Sequence, residues 1–325
     1  MAASSTGTGT AATTEHALVR RAPARAGRAV ASPGSLLDRE GVLGYVLMTP
    51  ALLLLIVFIA YPFVLGIWYS LSDLRIFGRG AFIGLKNYEN LLQSPVFLQT
   101  VHNSFVYTGT ATVFKLVLGL AMALVLNQHF PLKNVIRASV LLPYIVPTAL
   151  STLAFLLAFN PTLSPLPWLF RPLGIPYPAT GFLGDANLAM GAVIYVNVWR
   201  GTPFFAISLL AGLQTIPQDL YEAAAIDGAN ALARFWHVTL PLLTPVLTIV
   251  VLFSVIQTFA DFQIVQVLTR GGPADATHLF ATLAYQIGMQ GGRLGQSAAV
   301  SLFMLPFLGL LVIAQLWYTR RNAGQ

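Results

Sequence analysis

Polar side chains able to do chemistry are scarce in this chain, and they fall into two groups. One lies inside two long apolar runs: Asn197, Arg200, Gly201 and Thr202 in the first, Ser254, Gln257, Thr258 and Asp261 in the second. The other is an alanine-rich island, Tyr221 to Pro241, that gathers Glu222, Asp227, Arg234 and His237, while Gly201 to Gln218 and Phe235 to Ala260 carry no Asp, Glu, Lys or Arg. The first group offers hydrogen bonds and one guanidinium fork, which suits recognition of a polar solute. The second offers charges and small side chains, which suits docking. Other chemistries lack their residues. There is no cysteine for a disulfide or thiolate, and the five histidines show no metal-ligand spacing. No G-x-x-x-x-G-K-[ST] phosphate loop occurs, and the dipeptide Gly-Lys is absent altogether.

The elements that position these groups belong in a membrane. Of 325 residues 56% are hydrophobic and 9% charged, against roughly 25% charged in ordinary soluble domains. A bilayer core takes about 20 apolar residues per helix, and backbone in lipid must satisfy its own hydrogen bonds. The runs are continuously apolar rather than alternating, which excludes an outer-membrane barrel. The expected fold class is therefore an all-α membrane protein, a six-span helical bundle. Spans are expected at about 42–70, 103–127, 138–159, 188–213, 240–267 and 295–318, within a membrane domain over 41–320. In the third span Pro143 and Pro147 remove backbone hydrogen bonds and can open the helix toward a cavity. Residues 160–185 are too proline-dense for a helix and read as an external loop.

Residues 1–40 are rich in Ala, Thr, Ser, Pro and Gly and read as a disordered basic tail. The net charge of +7 does not call for nucleic acid, because five of the 18 basic residues precede the first span. Six spans place both termini on one side, together with ten basic residues, against six in the opposite loops. The bias puts the termini and the 214–239 loop in the cytoplasm. In that loop Pro217 starts a helix over Gln218 to Ile226 with acids near its positive end. Gly228 turns the chain, and a second short helix runs from Ala229 to about Val238 before the chain re-enters the membrane near Pro241. Ala223, Ala224, Ala225 and Ala229 permit close approach by a partner; the plainer alternative is an amphipathic hairpin resting in the headgroups.

The island resembles the cytoplasmic signature of permease subunits of binding-protein-dependent ABC importers, the MetI-like fold. That signature reads E-A-A, three residues, D-G-A, an aromatic-bearing helix and L-P; Glu222, Ala223, Ala224, Asp227, Gly228, Ala229, Phe235, Leu240 and Pro241 match it. WRGTPFF, LLAGLQTIPQDLYEAA and LTRGGP are similar to the carbohydrate-uptake branch, that of maltose-type permeases. The likeness covers about Val42 to Arg321. It implies that Glu222, Ala223, Ala224, Asp227, Gly228 and Ala229 couple the spans to a cytoplasmic ATPase dimer, which holds the ATP and Mg. It further implies a second homologous permease, an extracytoplasmic solute-binding protein and a sugar cargo. No cofactor, catalytic residue or nucleic-acid partner is expected in this chain, and the inner membrane is its expected location.

Counting about 10 residues inward from the cytoplasmic edge at 1.5 Å per residue brings both intraspan polar groups to the middle of the bilayer. There Asn197, Ser254, Gln257 and Thr258 can hydrogen-bond sugar hydroxyls, while Tyr144 or Trp199 can stack on a sugar face. The resemblance matches Asn197, Gly201 and Ser254 to contact positions of maltose-type permeases. Arg200 can take vicinal hydroxyls, a carboxylate or a phosphate, or it can pair with Asp261. Interhelical hydrogen bonding is the plainer use of the neutral residues, and pairing within the bundle or snorkelling the plainer fate of Lys115. Glycerol phosphate, a polyamine or an amino acid are alternative cargoes. A self-sufficient secondary transporter is a rival, although Asp261 is the only acid placed to serve as an intraspan coupling group.

Overall fold

The computed structural model describes residues 40–322, and the expected basic tail lies outside the described residues. The chain divides at Phe58 into two compact units. The first contains α1 (Glu40–Leu55), a helix whose described side chains from Tyr45 through Phe58 are exposed and largely apolar. A π-turn over Ile56–Ala60 and α2 (Tyr61–Ser70) continue the helical run, so that Gly44–Ser70 makes a 27-residue apolar candidate span.

Among the described residues of the second unit the regular structure is helical, joined by loops, with one isolated bridge between Ser72 and Phe82. After α3 (Lys86–Leu92) comes α4 (Pro95–Leu126), a 32-residue helix that begins eight residues before the expected Asn103. Local chemistry sets that start: the Ser94 side chain accepts from the Phe97 amide at 3.4 Å, and Pro95 takes the first position, where a missing N–H costs nothing. The third candidate span is broken. The run of α5 (Lys133–Val140) and α6 (Leu142–Ile145) meets α7 (Thr148–Phe159) at a bend of 86°. Val146, driven out of the helical region by Pro147 behind it, is extended at φ −62° and ψ 132°.

Residues 160–185 depart from the loop expected there. α8 (Leu166–Phe170) and a 3-10 turn at Arg171–Leu173 form because Pro167 and Pro172 sit in first-turn positions, where proline is tolerated. α9 (Ala186–Leu213) follows, capped by Asp185, whose carboxylate accepts from the Asn187 and Leu188 amides at 3.0 Å each.

The hairpin α10 (Gln218–Ile226) and α11 (Ala231–Arg234) leads through a π-turn, Phe235–Thr239, into α12 (Leu240–Phe259). The expected separate second helix is therefore corrected: Ala231 begins a helical run that continues through the π-turn and α12 to Phe259, within a candidate span of 38 residues that extends to Leu268. The wider π-turn lets the chain pass Pro241, which cannot donate to the preceding turn, without a break. α13 (Gln263–Leu268), α14 (Phe280–Tyr285), α15 (Leu294–Leu302) and α16 (Met304–Asn322) complete the chain. Among the described residues five helical runs are long and apolar enough to cross a membrane, and six when the bent pair counts as one span.

α4, α9 and α12 enclose the core that carries the site. Ala123, Leu126, Phe205, Leu209, Leu213, Leu243 and Val250 form one buried cluster among them. Tyr107, Val193, Val196, Ile264, Val265 and Leu268 form another, to which Phe159 adds. Lipid tails are as apolar as leucine, so close packing and interhelical hydrogen bonds, rather than hydrophobic exclusion, hold such helices together.

Between the fifth and sixth spans the TRGGPADATH segment is tightly folded. Thr277 Oγ1 donates to Gly272 O and meets Thr269 Oγ1, both at 2.7 Å, and Asn103 Nδ2 reaches Ala276 O at 2.9 Å. His278 is 1% exposed, beside Thr282 Oγ1 at 3.2 Å. Burial holds the imidazole below its usual pKa, against the opposing pull of Asp275 3.3 Å away.

Candidate functional site

Asn197, Arg200 and Gly201 project from one stretch of α9, and Ser254, Gln257 and Thr258 from the end of α12. Tyr144 comes from α6, just before the break in the third span. All seven line a single polar cleft of about 340 Å³, and Lys115 from α4 and Asp261 from the α12–α13 joint complete its wall. The proline break brings Tyr144 here: it ends α6 after one turn and turns α7 away, which leaves the ring facing Phe204 at 5.8 Å.

A continuous relay crosses the cleft wall. The Lys115 ammonium, 3% exposed, donates to Asn197 Oδ1 at 2.9 Å and to Thr258 Oγ1 at 2.7 Å. Asn197 Nδ2 then donates to Asp261 Oδ2 at 3.1 Å, and the Tyr107 hydroxyl donates to the same oxygen at 2.7 Å. Asp261 Oδ1 accepts from the Ile264 amide at 3.3 Å, in the first turn of α13 just past the end of α12. Both ends of the Asn197 amide are thus engaged within the protein.

Gly201 has an intramolecular reason to be glycine. A Cβ there would stand 2.5 Å from Lys115 Cδ, so the missing side chain makes the notch through which the lysine stem passes. Lys115 and Tyr107 were not among the residues picked out for the cleft. A lysine in an apolar run opposite a glycine in another was the available signal, and it needed the helix pairing to be read. Trp199 is not at the cleft: it stands edge-on to Phe155 at 5.0 Å and lines a separate, apolar groove with Phe114 and Pro203, because its place on α9 faces away from Arg200.

Arg200 does not pair with Asp261; the only ion pair among the described residues is His278 with Asp275. Its guanidinium carbon lies 5.6 Å from the centre of the Tyr144 ring, and Nε is shielded from solvent without a hydrogen-bond partner.

The second candidate site is the hairpin. Pro217 opens α10 and Asp219 sits in its first turn. The amides of Gly228 and Ala229 close on Ala225 O and Ala224 O at 3.1 and 2.9 Å, with Gly228 at φ +81°, a left-handed position that glycine adopts without strain. Asn230 Oδ1 caps α11 through the Ala233 amide at 2.8 Å. Glu222, Ala223, Asp227 and Gly228 are exposed, Ala224 and Ala229 half-buried. Ile226, 87% exposed, and Leu232, 67% exposed, present bare apolar surface next to these acids. Inside the hairpin, Tyr221 Oη meets Thr239 Oγ1 at 3.0 Å, and Thr239 is buried at the last position of the π-turn.

Comparison with known proteins bears on the whole of this arrangement. Residues 115–324 match the family described as the binding-protein-dependent transport system inner membrane component. The chain is 36% identical over 288 residues to a trehalose/maltose transport system permease of Thermococcus litoralis, across 87% of this chain and 96% of that one. It is 31% identical to an sn-glycerol-3-phosphate transport system permease of Pectobacterium atrosepticum, across 85% and 93%. A solved bacterial ABC transporter involved in alginate import has a chain of the same fold, with a TM-score of 0.75 at 20% identity, covering 88% of this chain and 97% of that one. With the helical architecture, these likenesses establish that the chain belongs to the multi-pass inner-membrane permeases of binding-protein-dependent ABC importers.

Proposed function

We propose that this permease carries a carbohydrate, delivered by an extracytoplasmic binding protein, through the cleft between α4, α9 and α12. One observation carries the reading: a polar cleft of about 340 Å³ holds the Tyr144 ring on one side and Ser254, Gln257 and Thr258 on the other. An aromatic face paired with amide and hydroxyl groups is what a sugar needs, since a pyranose has an apolar face and a hydroxyl rim. The trehalose/maltose permease relative supports the same cargo class.

In this reading Ser254, Gln257 and Tyr144 meet the sugar, whereas Asn197 and Thr258 answer first to Lys115, and Gly201 acts through the lysine notch. The α10 hairpin lies in the cytoplasm with both termini, as the basic bias requires. Glu222, Asp227 and the exposed Ile226 seat against a separate ATPase dimer, which binds ATP and Mg. A second homologous permease closes the other half of the path. Closure of the ATPases around the hairpin shifts the spans and exposes the cleft alternately to each side.

The test is uptake of a labelled disaccharide by proteoliposomes that hold the complete importer. Gln257→Ala and Tyr144→Ala should each cost about 10-fold in transport kcat/KM, the worth of one or two ligand hydrogen bonds or a stacked ring. Basal ATP hydrolysis should persist. Unchanged uptake in both variants would remove the cleft from the path.

A further inference from the structure

Three side chains of charged type line the cleft: Lys115, Asp261 and Arg200. Two of them answer each other. Lys115 reaches Asn197 Oδ1, and Asn197 Nδ2 reaches Asp261, so one positive and one negative charge are joined through a single amide. Asp261 is occupied further by Tyr107 and by the Ile264 amide.

Arg200 stands outside this relay. Among the described residues no carboxylate lies within ion-pair distance of it, and its Nε is shielded from solvent with nothing to donate to. Its nearest partner is the face of Tyr144 at 5.6 Å, and the charge of Asp261 acts on it only from beyond contact. An arginine at mid-membrane costs roughly 2.5 to 3.5 kcal/mol or more, while a cation over an aromatic face returns about 0.5 to 2 kcal/mol. The cleft lining thus holds two cations against one carboxylate, and that carboxylate is hydrogen-bonded by Asn197, Tyr107 and the Ile264 amide rather than by Arg200. A guanidinium whose carbon lies over a ring keeps its fork of donors, and that fork suits the two oxygens of a carboxylate, phosphate or sulfonate taken in parallel.

We propose that the cargo is an acidic carbohydrate whose carboxylate, phosphate or sulfonate is bound by Arg200, its hydroxyls turned to Ser254 and Gln257. The proposal rests on the carbohydrate reading above and narrows it. The anion completes the charge balance of the cleft, so a neutral sugar of the same size leaves Arg200 unsatisfied and is the poorer cargo.

The experiment uses the complete importer with its binding protein in proteoliposomes and two matched probe pairs: methyl glucoside with methyl glucuronide, and maltose with maltobionate. The expected result is uptake of the acidic member of a pair, with kcat/KM for it reduced about 10- to 100-fold by Arg200→Gln, the worth of a hydrogen-bonded charge. Arg200→Lys, which keeps the charge and loses the fork, should fall between the two. Basal ATP hydrolysis and assembly of the variants report that the fold survives. If Arg200→Gln does not assemble, a preference for the acidic probe lost in Arg200→Lys supports the proposal, and one unchanged there overturns it. Uptake of the neutral members with Arg200→Gln unaffected overturns the acidic class while leaving carbohydrate import standing. A neutral cargo with strict dependence on Arg200 likewise overturns it, and points to an acceptor on the second permease. Uptake of a non-carbohydrate solute and of neither pair defeats the carbohydrate reading itself.

Discussion

Replacing Lys115 by methionine preserves the length of the stem through the Gly201 notch and removes only the ammonium. The change leaves Asn197 Oδ1 and Thr258 Oγ1 without their donor and removes one of the two cations near the buried Asp261. Breaking a buried charge arrangement by deleting one member costs about 3 to 5 kcal/mol. Asp261→Asn makes the reciprocal break, leaving the ammonium uncompensated, with a cost of the same order. Because both losses act through one amide, they should not add: Lys115→Met with Asp261→Asn should be milder than the sum by about 1 to 3 kcal/mol. The assay is the thermal half-point of the detergent-solubilised complex, followed by size-exclusion chromatography, for the four members of the cycle. Each single variant should lower the half-point by several degrees, and the double variant should lower it by less than the two single losses added together. Strictly additive losses would refute the relay, showing that Lys115 and Asp261 are held independently.

Other expectations follow from single features. Gly228 has open space where a Cβ would stand, but its φ of +81° is one that a β-branched residue adopts only with strain, so Gly228→Val should cost about 1 to 2 kcal/mol at the turn; ATP hydrolysis should continue while uptake falls sharply, as judged by cargo moved per ATP. Tyr221→Phe and Thr239→Val should each lower that ratio, and the pair together should do no more than either alone, since they remove one shared contact. For His278 burial holds the folded-state pKa below the usual 6.5, so the unfolded chain takes up the proton first as pH falls. Stability should be fully present above pH 6.5 and decline below it; His278→Gln should flatten that decline in thermal half-points measured from pH 7.5 to 5, and an unchanged slope would assign the effect to other groups.

The sequence legibly carried the kinds of information that act locally. Prolines at 143 and 147 announced the broken span, and Asn197, Arg200, Ser254 and Gln257 announced a common cleft, because helical rise alone brings them to the same depth. Glu222 through Ala229 announced an exposed hairpin by composition and order. What remained hidden depends on which helix faces which. Gly201 reads as a ligand contact until Lys115 is found passing through its notch, and Asn197 reads as free until its amide is found between a lysine and an aspartate. Trp199 and Arg200 are adjacent in sequence yet serve different walls, because neighbouring helical positions point about 100° apart. The π-turn at Phe235–Thr239 was invisible because Leu240 and Pro241 look like the start of a span, and only the backbone shows the helix running through them.

That uninterrupted helix sets a scale for the machine. From Ala231 to Thr258 it is a rod about 40 Å long at 1.5 Å per residue, with the hairpin at one end and the cleft at the other. Pivoted near the hairpin, a tilt of only about 5° would sweep the far end by roughly 3 Å. The Lys115 to Thr258 hydrogen bond is 2.7 Å long, so a stroke of that size would undo it. The polar relay therefore works as a fine graduation on a long pointer: very little rotation at the membrane surface suffices to change which partners the cleft residues have.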